Sequence, residues 1–126
     1  MKIAIVEDSD HIRKNLIKFI SAIKDAEVVG EAEDVDPAII LIEEKKPDIV
    51  VLDIELKNSN GFNLLYKIKN FPQKSPVVMM FSNLSSISYK EKALKAKADY
   101  FFDKTNDFDE LVMTIESLIK TKKGKN

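Results

Sequence analysis

The chain has 126 residues, the size of one domain with no room for a second of ordinary size. Apolar residues make up 44%, enough for a core at this length, and the absence of cysteine excludes a disulfide framework and a thiolate metal site. A net charge of −1, from 20 basic and 21 acidic residues, argues against nucleic acid as the main partner, because a phosphate backbone needs a clustered basic surface.

Lys2–Val6 is a short apolar run that reads as a strand and meets Glu7 and Asp8 at once, unlike a secretory leader. From Asp10 to Lys24 the apolar residues Ile12, Leu16, Phe19, Ile20 and Ile23 trace one helical face, with Ser9 or Asp10 as its cap. Ala26–Ala32 is expected to form a second strand through Val28 and Val29. Asp34 or Asp36 then opens a helix with Pro37 in its first turn; it carries Ile39, Ile40, Leu41 and Ile42 and stops before Pro47.

Asp48–Leu52 is the most apolar strand, and its unbroken β-rich run suggests burial on both faces, as in a parallel sheet. Lys57–Gly61 reads as a polar loop, followed by a helix over about Phe62–Asn70 with Leu64, Leu65 and Ile68 inward. A fourth strand, Val77–Phe81, leads to Ser85 or Ser86 as the cap of a helix over Ile87–Lys97. Ala98–Phe102 is the fifth strand, and Asp107 or Asp109 begins a last helix striped by Phe108, Leu111, Val112, Ile115, Leu118 and Ile119. Residues 121–126 read as a basic, solvated tail beyond a domain of residues 1–120. The apolar runs Ile49–Leu52 and Val77–Phe81 are far too short to span a membrane, so a cytoplasmic protein without membrane association is expected.

Strand–helix alternation of this kind predicts a parallel α/β sheet with helices on both faces and right-handed crossovers. In such a sheet, ligands bind beyond the C-terminal strand ends. The first strand delivers Glu7 and Asp8 there, the third Asp53, the fourth Ser82, and the fifth Asp103 and Lys104. Each has a plain structural use alone, as a cap, turn residue, loop hydroxyl or surface charge. Together they form an acidic cluster with one hydroxyl and one ammonium. The carboxylates of Glu7, Asp8 and Asp53 repel one another, and a divalent cation would relieve them. Oxygen ligands favour Mg²⁺, or another hard cation such as Mn²⁺, with the backbone carbonyl of Glu55 as a further ligand. Asp53 would attack phosphorus as a carboxylate nucleophile, Lys104 would pair with it and then with phosphate oxygens, and Ser82 would donate to a phosphoryl oxygen.

Five motifs carry a resemblance over about residues 1–120: Ile5-Val6-Glu7-Asp8, Pro47-Asp48-Ile49-Val50-Val51-Leu52-Asp53-Ile54, Gly61, Phe81-Ser82, and Ala98-Asp99-Tyr100-Phe101-Phe102-Asp103-Lys104. In this order and spacing the chain resembles the receiver domain of two-component response regulators. The resemblance implies a flavodoxin-like doubly wound (βα)5 three-layer sandwich with strand order 2-1-3-4-5. It implies a histidine kinase or phosphotransfer protein as phosphoryl donor, Asp53 as acceptor, Glu7 and Asp8 as the acidic metal pair, Ser82 as the switch hydroxyl and Phe101 as the switch aromatic. The chain departs from the family pattern in having Lys57 and Thr105 where proline is frequent, Lys97 where glycine is frequent, and Asn83 beside Ser82. Lys97 would bear a modest cost in a left-handed cap, and Lys104–Thr105 is open to either peptide isomer.

The function expected is a phosphorylation-controlled switch acting through the face of the fourth helix, fifth strand and fifth helix. With no output domain in these residues, its readout would be binding of a downstream protein, and a phosphorylation-dependent homodimer through the same face is a further option. It would be a signalling domain that catalyses only its own phosphoryl transfer and dephosphorylation. Two readings compete. A phosphorylation-independent pseudo-receiver would lack an acid, the acceptor or the lysine, all of which are present here. A flavin or nucleotide binder would want a Gly- or Ser/Thr-rich phosphate loop where Glu7-Asp8-Ser9-Asp10 stands.

Overall fold

In the computed structural model, which describes residues 1–72 and 74–124, five strands alternate with five helices. They are β1 (Lys2–Val6), α1 (Asp10–Ser21), β2 (Glu27–Ala32), α2 (Val35–Lys45), β3 (Ile49–Leu52), α3 (Gly61–Lys69), β4 (Val77–Ser82), α4 (Ile87–Lys95), β5 (Tyr100–Asp103) and α5 (Phe108–Gly124). All neighbouring strands pair in parallel, in the order β2-β1-β3-β4-β5. The parallel sheet is the one strand–helix alternation predicts, and its strand order is the one the resemblance implies.

Period-two alternation divides the strand side chains between two cores. Ile3, Ile5, Ile49, Val51, Met79 and Phe81 pack with Leu16 and Ile20 of α1 and with Leu111, Ile115 and Ile119 of α5. Ala4, Val6, Val50, Leu52, Val78 and Met80 pack on the opposite face against α2, α3 and α4. All four residues of β3 are buried, as its unbroken apolar run predicts. At about 1.5–3 kcal/mol per fully buried aliphatic side chain, these two layers hold the strand ends in register. The register sets Ile49 beside Ile3 and Val77 beside Ile49, so β1, β3 and β4 finish at one edge.

The ends of elements show where local chemistry decided. Ser9 caps α1 by accepting from the Ile12 amide, and Asp34 caps α2 by accepting from the Val35 amide. Ser86 stands at the cap position of α4 but makes no side-chain cap; Ser85 instead donates to Asp103 Oδ2 at 3.1 Å. The helical face assigned to Phe19 needs correction, and the apolar run of α2 divides between core and solvent. Phe19 is 47% exposed, lying edge-on to Phe108, and Ile40 is 58% exposed on the outer side of α2. Val35, Ala38 and Ile42 line the buried face of α2 instead.

The helix expected to reach Lys97 ends at Lys95, and β5 starts at Tyr100 rather than Ala98. Between them Lys97 adopts the left-handed region with φ 70, and Ala98 N–H donates to the Ala93 carbonyl to close the cap. A side chain there is strained, whereas glycine is not. Lys97→Gly is therefore expected to raise stability by about 1 kcal/mol, read as a higher urea midpoint at unchanged slope; an unchanged or lower midpoint would contradict this. Among the described residues no peptide bond is cis, so Lys104–Thr105 is trans. The expected tail from residue 121 continues α5 to Gly124, and Lys125 and Asn126 lie outside the described residues.

Candidate functional site

Glu7 follows directly on β1 and is 1% exposed, its amide donating to the Ala32 carbonyl at the end of β2. Asp8, one residue further, turns outward and is exposed. Asp53 follows β3, is 4% exposed, and donates its amide to the Val6 carbonyl at 3.1 Å. Carboxylate oxygens of Glu7, Asp8 and Asp53 lie within 4.8 Å of one another.

Lys104, just past β5, reaches across two strands. Its Nζ stands 2.7 Å from Asp53 Oδ2 and 2.7 Å from Glu7 Oε1. The first contact is a directed hydrogen bond; the second is a close ion pair without hydrogen-bond alignment, so Glu7 Oε1 is buried with no hydrogen-bond donor. Glu7 Oε2 accepts from the Ser9 amide at 3.1 Å.

One ammonium thus faces three carboxylates, and the titration behaviour follows. Burial pushes the Glu7 carboxyl up from 4.5 to about 7; Lys104 pulls it down and the Asp53 charge pushes it up again. Burial alone would lower Lys104, but its contacts with Asp53 and Glu7 outweigh that and hold it above the usual lysine value. An excess of acid over base and an all-oxygen donor set suit a hard divalent cation.

Gly61 contributes by lacking a side chain. A Cβ there would collide with the Asp53 carbonyl, and its amide donates to Ile54 O at 2.6 Å, so α3 starts flush against the acceptor strand. Ser82 is the last residue of β4 rather than the first beyond it and is fully buried. Its Oγ accepts from the Leu84 amide at 3.1 Å, while its carbonyl accepts from Lys104 N–H. Asp103 serves the turn: it accepts from the Thr105 amide first, then from Ser85 and Asn106, which together hold its carboxyl below the usual range. Thr105 Oγ1 donates to Asn83 Oδ1 at 3.4 Å, joining the loops after β4 and β5. Glu55 is exposed and donates its amide to Asp53 Oδ1 at 3.4 Å. Phe101 is half-buried and packs on the core face that carries α4.

The sequence reading misses Arg13. It is 7% exposed and donates to the Glu7 carbonyl at 2.8 Å and to Glu31 Oε1 at 2.7 Å, with Asp10 as a further partner. Its position was a usable signal, because 13, 16 and 20 share a helical face and an ionic residue on that buried stripe needs partners.

The family pattern of the response regulator receiver domain matches residues 3–116. A transcriptional regulatory protein of Bacillus subtilis, YhcZ, is 36% identical over 115 residues, covering 90% of this chain and 53% of that protein. The sensory transduction protein LytT of Bacillus anthracis is 33% identical, covering 98% of this chain and 49% of the relative. The chain therefore spans about half the length of these curated relatives. Among solved structures, the response regulator domain of Thermotoga maritima CheB aligns with TM-score 0.81 at 29% identity, covering 96% of this chain and 94% of that one. A LuxR-family DNA-binding response regulator from Staphylococcus aureus aligns with TM-score 0.83 at 28% identity, covering 92% and 96%. With its topology, its acidic strand-end cluster and these matches in agreement, the chain belongs to the receiver domains of two-component response regulators.

Proposed function

We propose that Asp53 accepts a phosphoryl group from the phosphohistidine of a sensor kinase or phosphotransfer protein, and that this shifts the domain between two packings. The observation that carries the reading is the placement of Asp53 at the end of β3, 2.7 Å from Lys104 Nζ and grouped with the carboxylates of Glu7 and Asp8. An Asp53 carboxylate oxygen attacks phosphorus, the new P–O bond forms as the donor P–N bond breaks, and the electron pair leaves with the imidazole nitrogen. Lys104 balances Asp53 before transfer and the phosphoryl oxygens after it.

Glu7, Asp8 and Asp53, with the Glu55 carbonyl, would hold Mg²⁺ or Mn²⁺, which when bound neutralises charge on the transferring phosphoryl group. Incubation with acetyl phosphate tests the reading: an acid-stable, base-labile adduct of about 80 Da should form with Mg²⁺ and not without it. The domain acts as a signalling acceptor whose chemistry is limited to its own phosphoryl transfer and dephosphorylation.

Readout would run through α4, β5 and α5. Ile87, Leu94 and Met113 are 75%, 74% and 65% exposed, an apolar set suited to a downstream protein or to a second copy of the phosphorylated chain. Ser82 and Phe101 would couple the phosphate to this face, the hydroxyl leaving the Leu84 amide for a phosphoryl oxygen and the ring turning inward. Ser82→Ala is accordingly expected to leave adduct formation within about tenfold of the unaltered chain while removing most of the chemical-shift change on α4 and β5. A full shift response without the hydroxyl would take Ser82 out of the switch. Among the described residues no helix is long and apolar enough to cross a membrane. Together with the lack of cysteine, this supports a cytoplasmic setting.

A further inference from the structure

The loop after Asp53 carries Glu55 and is closed on itself: Glu55 bridges Asn60, and the Leu56 amide donates to the Ser59 carbonyl at 3.2 Å. It is also tied to a segment distant in sequence, the turn between β2 and α2. Lys57 N–H donates to the Glu33 carbonyl at 3.3 Å, Lys57 Nζ lies 3.7 Å from Glu33 Oε2, and Ser59 donates to Asp34.

Glu33 has a second contact on its other oxygen. Its Oε1 lies 3.2 Å from Arg13 Nη2, and the same guanidinium donates from Nη1 to the Glu7 carbonyl. One carboxylate therefore joins the backbone that presents Glu7 and Asp8 to the loop that presents Glu55. The two halves of the oxygen cluster meet the same strut from opposite sides. Arg13 is nearly buried, so its end of the strut is rigid, whereas Lys57 is 65% exposed at its side chain and forms the adjustable end.

We infer that Glu33 is a positioning residue of the acidic site, and that Lys57 acts through it to hold the loop after Asp53 at the spacing a divalent cation requires. This rests on the reading of Glu7, Asp8 and Asp53 as the cation site. A supporting contact behind the ligands tunes affinity by fixing their geometry rather than by touching the ion.

The sign of one substitution separates this role from bulk electrostatics. Removing a lysine from the neighbourhood of a cation site should tighten cation binding if charge alone matters. Removing a strut should loosen it. Titration of the full chain with Mg²⁺ by calorimetry decides between them. Lys57→Met is expected to weaken Mg²⁺ binding by about threefold, Glu33→Gln by about tenfold, and Lys57→Arg to leave it unchanged. The double variant should bind no more weakly than Glu33→Gln alone, because both act through one contact. In metal-free protein, amide exchange at Leu56 and Lys57 should speed up in Lys57→Met with no change in the thermal midpoint. Equal or tighter Mg²⁺ binding by Lys57→Met, with the unaltered chain binding normally, would overturn the inference and leave the site standing. Failure of the unaltered chain to bind millimolar Mg²⁺ would remove both.

Discussion

Asp53→Asn is expected to abolish the base-labile adduct formed from acetyl phosphate and Mg²⁺, with a rate loss of at least about a thousandfold. An amide oxygen is a poor nucleophile toward phosphorus, and the substitution also removes one oxygen ligand from the cluster formed with Glu7 and Asp8. The fold should tolerate the change. Lys104 now faces two buried acids, 2.7 Å from each, so neutralising one leaves a balanced pair with Glu7 rather than an orphaned charge. Stability is expected to stay within about 1 kcal/mol of the unaltered chain, which separates lost chemistry from lost structure. Intact-mass measurement at acid pH reads the outcome. An adduct that persists in Asp53→Asn places the acceptor elsewhere, with exposed Asp8 the first to examine.

The cluster around Asp53 was legible in the sequence for a physical reason. Buried parallel strands announce themselves as apolar runs, and the residue after each run lies at the edge where ligands bind, so Glu7, Asp53 and Lys104 could be placed before any coordinates. The structure brings these three together with Asp8 as that logic requires. What failed was information that is not periodic. Ile39-Ile40-Leu41-Ile42 is apolar at every position, so no pattern told Ile40 to face outward. Ser85 and Ser86 are alternative caps by sequence; the backbone places Ser86 at the cap position, and the Ser85 hydroxyl bonds Asp103, a partner distant in sequence.

Long-range ion pairs were equally hidden. Arg13 with Glu31 and Glu33, and Lys57 with Glu33, join residues on different elements, and their pairing depends on the parallel register of β1 beside β2. Lys57 stands where proline is frequent in the family. In the fold, the same residue ties the loop after Asp53 down through its amide and its ammonium. Lys97 shows the converse: its left-handed cost was legible, and the backbone adopts that conformation at φ 70 regardless.

The metal-free chain is expected to lose stability as the pH rises from about 5 to 8. Glu7 carries a folded-state value near 7 against 4.5 when unperturbed, so within that window the folded chain binds more protons than the unfolded one. Stability therefore falls with rising pH, and levels off once Glu7 is ionised in both states. The other displaced groups do not disturb the window. Asp34 and Asp103 are held below the usual carboxylate range, so their contribution is lost only as the pH falls further, and Arg13 and Lys104 are raised, so theirs is lost only in strong base. A difference of about 2.5 pH units corresponds to at most about 3 kcal/mol, an upper bound because the Lys104 ammonium 2.7 Å away responds to the Glu7 charge. For a chain of this size that is on the order of a 10 °C fall in thermal midpoint. Two controls assign it. Saturating Mg²⁺ should flatten the profile, because cation binding displaces the Glu7 proton and rewards the ionised form. Glu7→Gln should flatten it without metal. A midpoint that rises over this window in metal-free buffer would mean that Glu7 is already ionised and that Lys104 alone compensates the cluster.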